Sequence, residues 1–281
     1  MRFPQRPAAI AMLVIACGMS VPAHAGQTAA APATVVLTPE QMEAFLLNAK
    51  IVRMRSAGDG VTNSRRATLS DGSLTHDAHV QIIDQSRLLF EAGRATELNF
   101  KDTYRYNIAA YRLARLLEID NVPMSVERQV EGRSAAVTWW VDDVMMDESD
   151  RLKKKLTDPN GLRGAGYAQR YRVFDQLIQN RDRNRGNLLY TSNWKLWMID
   201  HTRAFRLNRE LQNPDQVVRI ERALFESLKR LTPASVEVAV GTSLIKGEIA
   251  ALLARRDAIV TLVEGRIARR GEAAVLYTIP E

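Results

Sequence analysis

The chain has 281 residues, 46% apolar and 25% charged, a balance that excludes a disordered polymer and supports a folded core. That length suits one large domain or two small lobes sharing a cleft. A formal charge of +7 raises nucleic acid and anionic membranes as partners, yet the basic residues are dispersed apart from Lys153-Lys154-Lys155 and the Arg181, Arg183, Arg185 run. No nucleic-acid motif is present, so nucleic acid is not expected as a partner.

The first six residues are short and basic, and residues 8–21 are nearly all apolar but too short for a comfortable membrane span. Val21-Pro22-Ala23-His24-Ala25-Gly26 then supplies small residues at the two positions a signal peptidase reads. Residues 1–25 therefore read as an export signal. The mature protein is expected in the periplasm or outside the cell, with no transmembrane span after cleavage. Val14-Ile15-Ala16-Cys17-Gly18 also resembles a bacterial lipoprotein box, in which Cys17 would carry a lipid anchor to the membrane. On either reading no internal disulfide can form, because Cys17 is the only cysteine.

Residues 26–37, rich in Ala, Thr, Pro and Gln, read as a flexible linker. Thr38-Pro39-Glu40-Gln41 opens a helix, with Thr38 as cap, Pro39 at the first helical position and Gln41 completing a capping box. Residues 51–55 and 65–69 read as strands joined by a loop containing Gly58, Gly60, Thr62 and Ser64. Glycines there let backbone N–H groups approach phosphate oxygens, and Thr62 adds a hydroxyl. Taken alone, Gly-x-Gly equally fits an ordinary hairpin loop.

Asp71-Gly72 signals a tight turn before a strand over 75–83. Its alternation puts Ala78, Val80 and Ile82 on one face and His79, Gln81 and Ile83 on the other. His76 and His79 read as strand-surface histidines without a third metal ligand. Residues 101–119 form an amphipathic helix with Asp102 as its cap. Strands over 123–130 and 134–141 lead to Asp142-Asp143, the expected boundary between a first lobe, 38–142, and a second, 143–281. Residues 147–155 and 161–166 read as surface and loop. Helices are expected over 167–179, 217–231 and 243–270. Trp139, Trp140, Trp194 and Trp197 are most simply core or hinge aromatics.

The helix over 167–179 runs into Asn180-Arg181-Asp182-Arg183-Asn184-Arg185-Gly186-Asn187, followed by an apolar strand, a turn, and Trp197-Met198-Ile199-Asp200-His201. Any one of these acids and amides alone would read as a turn former or a cap. Together, the order and spacing of Asp182, Asn187 and Asp200 resemble the way protein-kinase-like enzymes arrange a catalytic base and two magnesium ligands around a transferring phosphoryl group.

This run resembles the catalytic and metal loops of the protein-kinase-like superfamily, in particular phosphatidylinositol 3-/4-kinases, HipA-type kinases and secretory-pathway kinases. The resemblance follows element order over residues 50–205. It implies an α+β, two-lobe protein-kinase-like fold, with a small antiparallel-sheet N-lobe and a mainly helical C-lobe. It implies an ATP-type nucleotide and magnesium as cofactors, Asp182 as catalytic base, and Asn187 and Asp200 as metal ligands. The acceptor, whether protein, lipid or small molecule, is left open.

The resemblance also marks a departure. In these kinases the third strand carries a lysine, and the following helix a glutamate that pairs with it. Here those positions fall at Gln81 and Asn107, and no lysine lies between Lys50 and Lys101. An amide–amide hydrogen bond would keep the geometry without the charge. Arg53, Arg65 or Arg66 are candidate replacements for the cation, and Arg183 and Arg203 either contact phosphate or acceptor or form surface ion pairs. His201 and Thr202 replace the Phe and Gly of many protein kinases. Two functions follow: an exported phosphotransferase, or a pseudokinase acting as a nucleotide- or partner-binding scaffold.

Overall fold

A reciprocal cap opens the first helix. Gln41 N–H donates to Thr38 Oγ1 at 3.3 Å, and Thr38 N–H donates to Gln41 Oε1 at 2.8 Å. Helix α1 (Pro39–Asn48) buries Phe45 and Leu46 in one core with Ala67, Ala78, Val80 and Val137 of the sheet beside it. The structure, a computed structural model, describes residues 37–57, 64–92, 95–159 and 161–280. The export signal, most of the linker, and Gly58, Gly60 and Thr62 lie outside the described residues.

The sheet is antiparallel and five-stranded, in the order β1-β2-β3-β7-β6. Its strands are β1 (Lys50–Ser56), β2 (Arg65–Ser70), β3 (Thr75–Gln81), β6 (Ser125–Val130) and β7 (Arg133–Trp139). Asp71 sets the β2–β3 turn: its Oδ1 accepts the Ser73 and Leu74 backbone N–H groups at 2.8 Å, and Gly72 takes φ +95°. The alternation on β3 holds. Ala78 and Val80 are fully buried in the sheet core, while His79 and Gln81 face the cavity described below.

Between β3 and the next helix the chain inserts a two-stranded antiparallel hairpin, β4 (Asp84–Ala92) and β5 (Ala95–Thr103). Strand β5 takes the residues expected to start the amphipathic helix, so α2 begins at Arg105 and runs to Leu116. Asp102 is not its cap but pairs with Gln85 across the hairpin. The entry to α2 is held instead by the backbone, with Tyr104 N–H donating to Ile83 O at 2.7 Å. Ladder bonds to β4 outweigh the capping propensity of a single aspartate.

After Trp139 the chain crosses to a three-stranded sheet, ordered β10-β9-β8, formed by β8 (Val144–Asp147), β9 (Leu188–Thr191) and β10 (Leu196–Met198). The stretch over 147–155 is not bare loop. Asp147 accepts the Asp150 N–H at 2.8 Å and caps α3 (Glu148–Lys153). Helix α4 (Leu162–Ile178) starts before Gly164 and Gly166, which lie inside it. At Gly166 an added Cβ would meet Ile279 Cγ1 at 2.8 Å, so the glycine admits close packing of the C-terminal segment.

The expected helix over 217–231 is split. Strand β11 (Ile220–Glu221) pairs in parallel with β12 (Leu276–Tyr277), and α5 (Arg222–Arg230) follows it. Helices α6 (Pro233–Val240), α7 (Lys246–Arg270) and α8 (Glu272–Val275) complete the chain. Among the described residues no helix is long and apolar enough to cross a membrane.

Two large cores hold the lobes, and a small third cluster of Tyr104, Ile108 and Ala136 joins α2 to the sheet. The larger gathers Phe174, Leu177, Leu228, Leu252 and Ile259, and Tyr106, Ala109, Leu113 and Leu117 of α2 and its end pack into it. Helix α2 is thus bound to the helical lobe as well as to the sheet. Glu248 of α7, 2% exposed, accepts the Tyr106 hydroxyl at 2.6 Å and Lys101 Nζ at 2.8 Å, which fastens β5 and α2 to the same helix.

Candidate active site

The loop after α4 and the β9–β10 hairpin bring distant residues together by register. Leu188 pairs with Met198, so Asn187 and Ile199 meet one step on, where Ile199 N–H donates to Asn187 O at 3.1 Å. Asp200 follows immediately. The intervening turn is closed by Asn193, whose Oδ1 accepts Thr191 Oγ1 at 2.8 Å and Lys195 N–H at 3.1 Å.

Arg183 braces the loop from behind. Its Nη1 donates to Asn187 O at 3.2 Å and to Ile199 O at 2.6 Å. Its Nε and Nη2 bind the Asp175 carboxylate at 2.9 and 3.0 Å, with both side chains 9% exposed. Arg183 is therefore a structural clamp, not a free phosphate contact. Asn180 Oδ1 accepts Asp182 N–H at 3.1 Å, and Asn184 Oδ1 accepts Asn187 N–H at 3.1 Å, so two side-chain turns shape the loop.

Asp200 sits at φ +54°, in the left-handed region that non-glycine residues seldom occupy. Its Oδ1 accepts the Thr202 hydroxyl at 3.1 Å. Its Oδ2, and the Asn187 side-chain amide, make no hydrogen bond among the described residues. Behind it, Asn107 Oδ1 accepts His201 N–H at 2.7 Å. His201 is buried against the edge of Phe174, with ring centroids 6.1 Å apart. Burial, with the Arg183 charge added, holds its pKa well below the ordinary histidine value.

These groups line one cavity of about 610 Å³ between the sheet and the helical lobe. Asp182, Asn187 and Asp200 lie on its floor, Gln81 and Asn107 on its wall, and Trp139, Trp140, Val141 and Val144 at the crossover between lobes. The crossover is pinned from the sheet: His76 stacks on Trp139 at 3.8 Å and bonds Asp142 Oδ2 at 2.9 Å, and Arg66 lies over Trp140 at 4.1 Å. All five described site candidates, Gln81, Asn107, Asp182, Asn187 and Asp200, thus share one space.

Gln81 and Asn107 do not bond each other. Gln81, 1% exposed, accepts the Ile82 and Ile83 N–H groups through Oε1 at 3.1 and 3.4 Å, while the Asn107 carbonyl is taken by His201. The amide pair therefore does not reproduce an ion pair; each amide braces backbone instead. Arg65 is drawn to Glu131 at 2.8 Å and Arg66 to Asp77, and neither lines the cavity. His79, read from sequence as a surface histidine, lines it. The signal was present in the chain, since β3 alternation puts His79 and Gln81 on one face.

A small antiparallel-sheet lobe, a mainly helical lobe and a cleft between them make this a protein-kinase-like fold. The chain is similar to hydra Fam20, solved with sugar, with a TM-score of 0.63 and 14% identity over 85% of this chain and 92% of that one. It is similar to the Golgi casein kinase, solved with Mn and ADP bound, with a TM-score of 0.60 and 13% identity over 86% and 80% of the two chains. The Helicobacter pylori proinflammatory kinase CtkA superposes with a TM-score of 0.50 and 10% identity, over 80% of this chain and 98% of that one. No family model and no curated protein matches the chain in sequence.

Proposed function

We propose that the chain is an exported phosphotransferase that moves a phosphoryl group from a magnesium-bound nucleotide such as ATP to a hydroxyl acceptor. The observation that carries this reading is the convergence of Asp182, Asn187 and Asp200 on one cavity whose crossover end is aromatic and apolar. Structural likeness to kinases, one of them solved with Mn and ADP, supports it.

Asp182, 54% exposed at its side chain, is the base that accepts the acceptor's hydroxyl proton. The acceptor oxygen bonds to the terminal phosphorus as that phosphorus leaves the nucleoside diphosphate, and the proton passes to Asp182. The Asn187 and Asp200 oxygens fit magnesium, which takes one or two protein oxygens and completes its shell with water and phosphate. When bound, magnesium neutralises developing phosphate charge. The aromatic end of the cavity, at Trp139 and Trp140, receives the base.

Export rests on residues 1–25 and sets the protein in the periplasm or outside the cell, with lipid anchoring at Cys17 as the variant form. A scaffold reading has one observation in its favour: Gln81 and Asn107 stand where a lysine and a glutamate would, and their carbonyls are committed to backbone. Calorimetric titration of the purified protein with ADP and magnesium, beside Asp200→Ala, separates the two. Magnesium-dependent binding lost in the variant, with turnover of ATP, supports the enzyme. Binding without turnover supports the scaffold, and a folded protein that binds no nucleotide defeats the kinase reading.

A further inference from the structure

Asp200 keeps φ +54°, a conformation that persists in a non-glycine residue only where its surroundings over-determine it. The backbone on both sides of it is bonded. Ile199 N–H donates to Asn187 O at 3.1 Å, and Ile199 O accepts Arg183 Nη1 at 2.6 Å. His201 N–H donates to Asn107 Oδ1 at 2.7 Å, and His201 O accepts Ala204 N–H at 3.0 Å. These bonds fix where Asp200 stands on the cavity floor. They leave the direction of its carboxylate open.

Thr202 removes that freedom. It is 4% exposed, and its carbonyl accepts Thr103 N–H at 2.9 Å, which ties it to the last residue of β5. Its hydroxyl donates to Asp200 Oδ1 at 3.1 Å, and its own N–H points at the same oxygen at 3.5 Å. Both donors engage one carboxylate oxygen, so Oδ2 is the oxygen left for the cavity that Asp200 lines. A glycine, which many protein kinases carry at this position, supplies the N–H but no hydroxyl. Asp102, 7% exposed, reaches the same hydroxyl from the β5 side, and burial raises its pKa. A hydroxyl has one proton and two lone pairs, so it accepts from a neutral Asp102 while it donates to Asp200.

We propose that Thr202 is the positioning residue for the candidate metal ligand Asp200, its hydroxyl holding one carboxylate oxygen so that the other meets the divalent ion. The proposal rests on the metal and nucleotide reading above. Hydrogen bonds made to a ligating carboxylate from behind are worth about ten- to a hundredfold in metal affinity.

The test is calorimetric titration with ADP across a series of magnesium concentrations, on the wild-type protein, Thr202→Val, Thr202→Ala and Thr202→Ser. The first two variants remove the hydroxyl with and without its neighbouring volume, and the third keeps it. The expected result is about tenfold more magnesium for half-maximal ADP binding in Thr202→Val and Thr202→Ala, with Thr202→Ser close to wild type. ADP affinity without metal should be the same in all four proteins. Electron paramagnetic resonance of free manganese in the presence of protein and ADP reads the metal affinity directly and should show the same order. An equal magnesium requirement in wild type and the two hydroxyl-free variants overturns the proposal. So does a Thr202→Ser protein as impaired as Thr202→Val, or a loss of ADP binding that no magnesium concentration restores. Wild-type protein that binds no ADP with or without metal removes the nucleotide reading itself, whereas magnesium-dependent binding that is indifferent to Thr202 removes only this proposal.

Discussion

Arg203 donates from Nη1 to Asp182 Oδ2 at 3.1 Å and from Nη2 to Glu97 Oε2 at 3.2 Å. One guanidinium thus links the candidate base to the inserted β4–β5 hairpin. Glu97 also draws Arg206, at 2.8 Å, and both arginines lie over Phe100, at 5.0 and 5.6 Å. The sequence admitted a phosphate or acceptor contact or a surface ion pair for Arg203; the geometry gives it the ion pair, made to the candidate base.

Asp182→Asn should lower ATP turnover by about 100-fold or more while leaving ADP affinity unchanged. Arg203→Ala should lower turnover by about tenfold, again without loss of ADP affinity, because it misplaces the base rather than removing it. Steady-state turnover beside calorimetry reads both. A fall in ADP affinity equal to the fall in turnover would return Arg203 to nucleotide binding.

Asn107 makes a different prediction. Its carbonyl satisfies the buried His201 N–H next to Asp200. Asn107→Leu should destabilise the protein by about 1–3 kcal/mol, the cost of an unpaired buried donor. Magnesium-dependent ADP binding should weaken with it. Urea unfolding reads the first effect and calorimetry the second, and an unchanged midpoint would mean that the N–H finds another acceptor.

Arg183 and Asp175 form a pair with both side chains nearly buried. Removing one partner leaves the other charged and desolvated, so Arg183→Met should cost about 3–5 kcal/mol. The double variant Arg183→Met with Asp175→Leu should recover part of that stability but not ADP binding, because the Asn187 and Ile199 carbonyls lose their clamp. Recovery of both would reduce the pair to packing.

Asp77 gives a pH test in the sheet. Burial pushes its pKa up, but hydrogen bonds from Thr68 and Arg66 outweigh burial and hold it below the usual carboxylate range. A depressed folded pKa means the contribution is complete above the unfolded value of about 3.9 and is lost as pH falls through the lower folded one. Asp77→Asn should therefore lose about 1–2 kcal/mol at pH 7 and approach the wild type in acid. A stability gap that stays constant down to pH 3 would assign the loss to packing instead of charge.

Much of the fold was legible where one local signal stood unopposed. The Thr38–Gln41 box, the Asp71-Gly72 turn and the alternation on β3 depend on neighbours within a few residues, and each appears as read. The failures share a cause. Asp102 looked like a cap, and Ile220 and Glu221 looked like part of the helix that in fact starts at Arg222, because the strands that claimed them, β4 and β12, lie 17 and about 56 residues away by register. No local window contains that competition.

The site divides along the same line. Residue types and order along one continuous run marked Asp182, Asn187 and Asp200 as candidates, and the loop after α4 with the β9–β10 register brings all three to one cavity. Gln81 and Asn107 were found by element order, but what each amide binds was set by backbone groups that folding presents to them. Tertiary contact alone made Arg203 a partner of Asp182, made Arg183 a clamp, and turned His79 from a strand histidine into a cavity wall. Side-chain commitment is a competition among all groups within a few ångströms, and only the closed fold decides which groups those are.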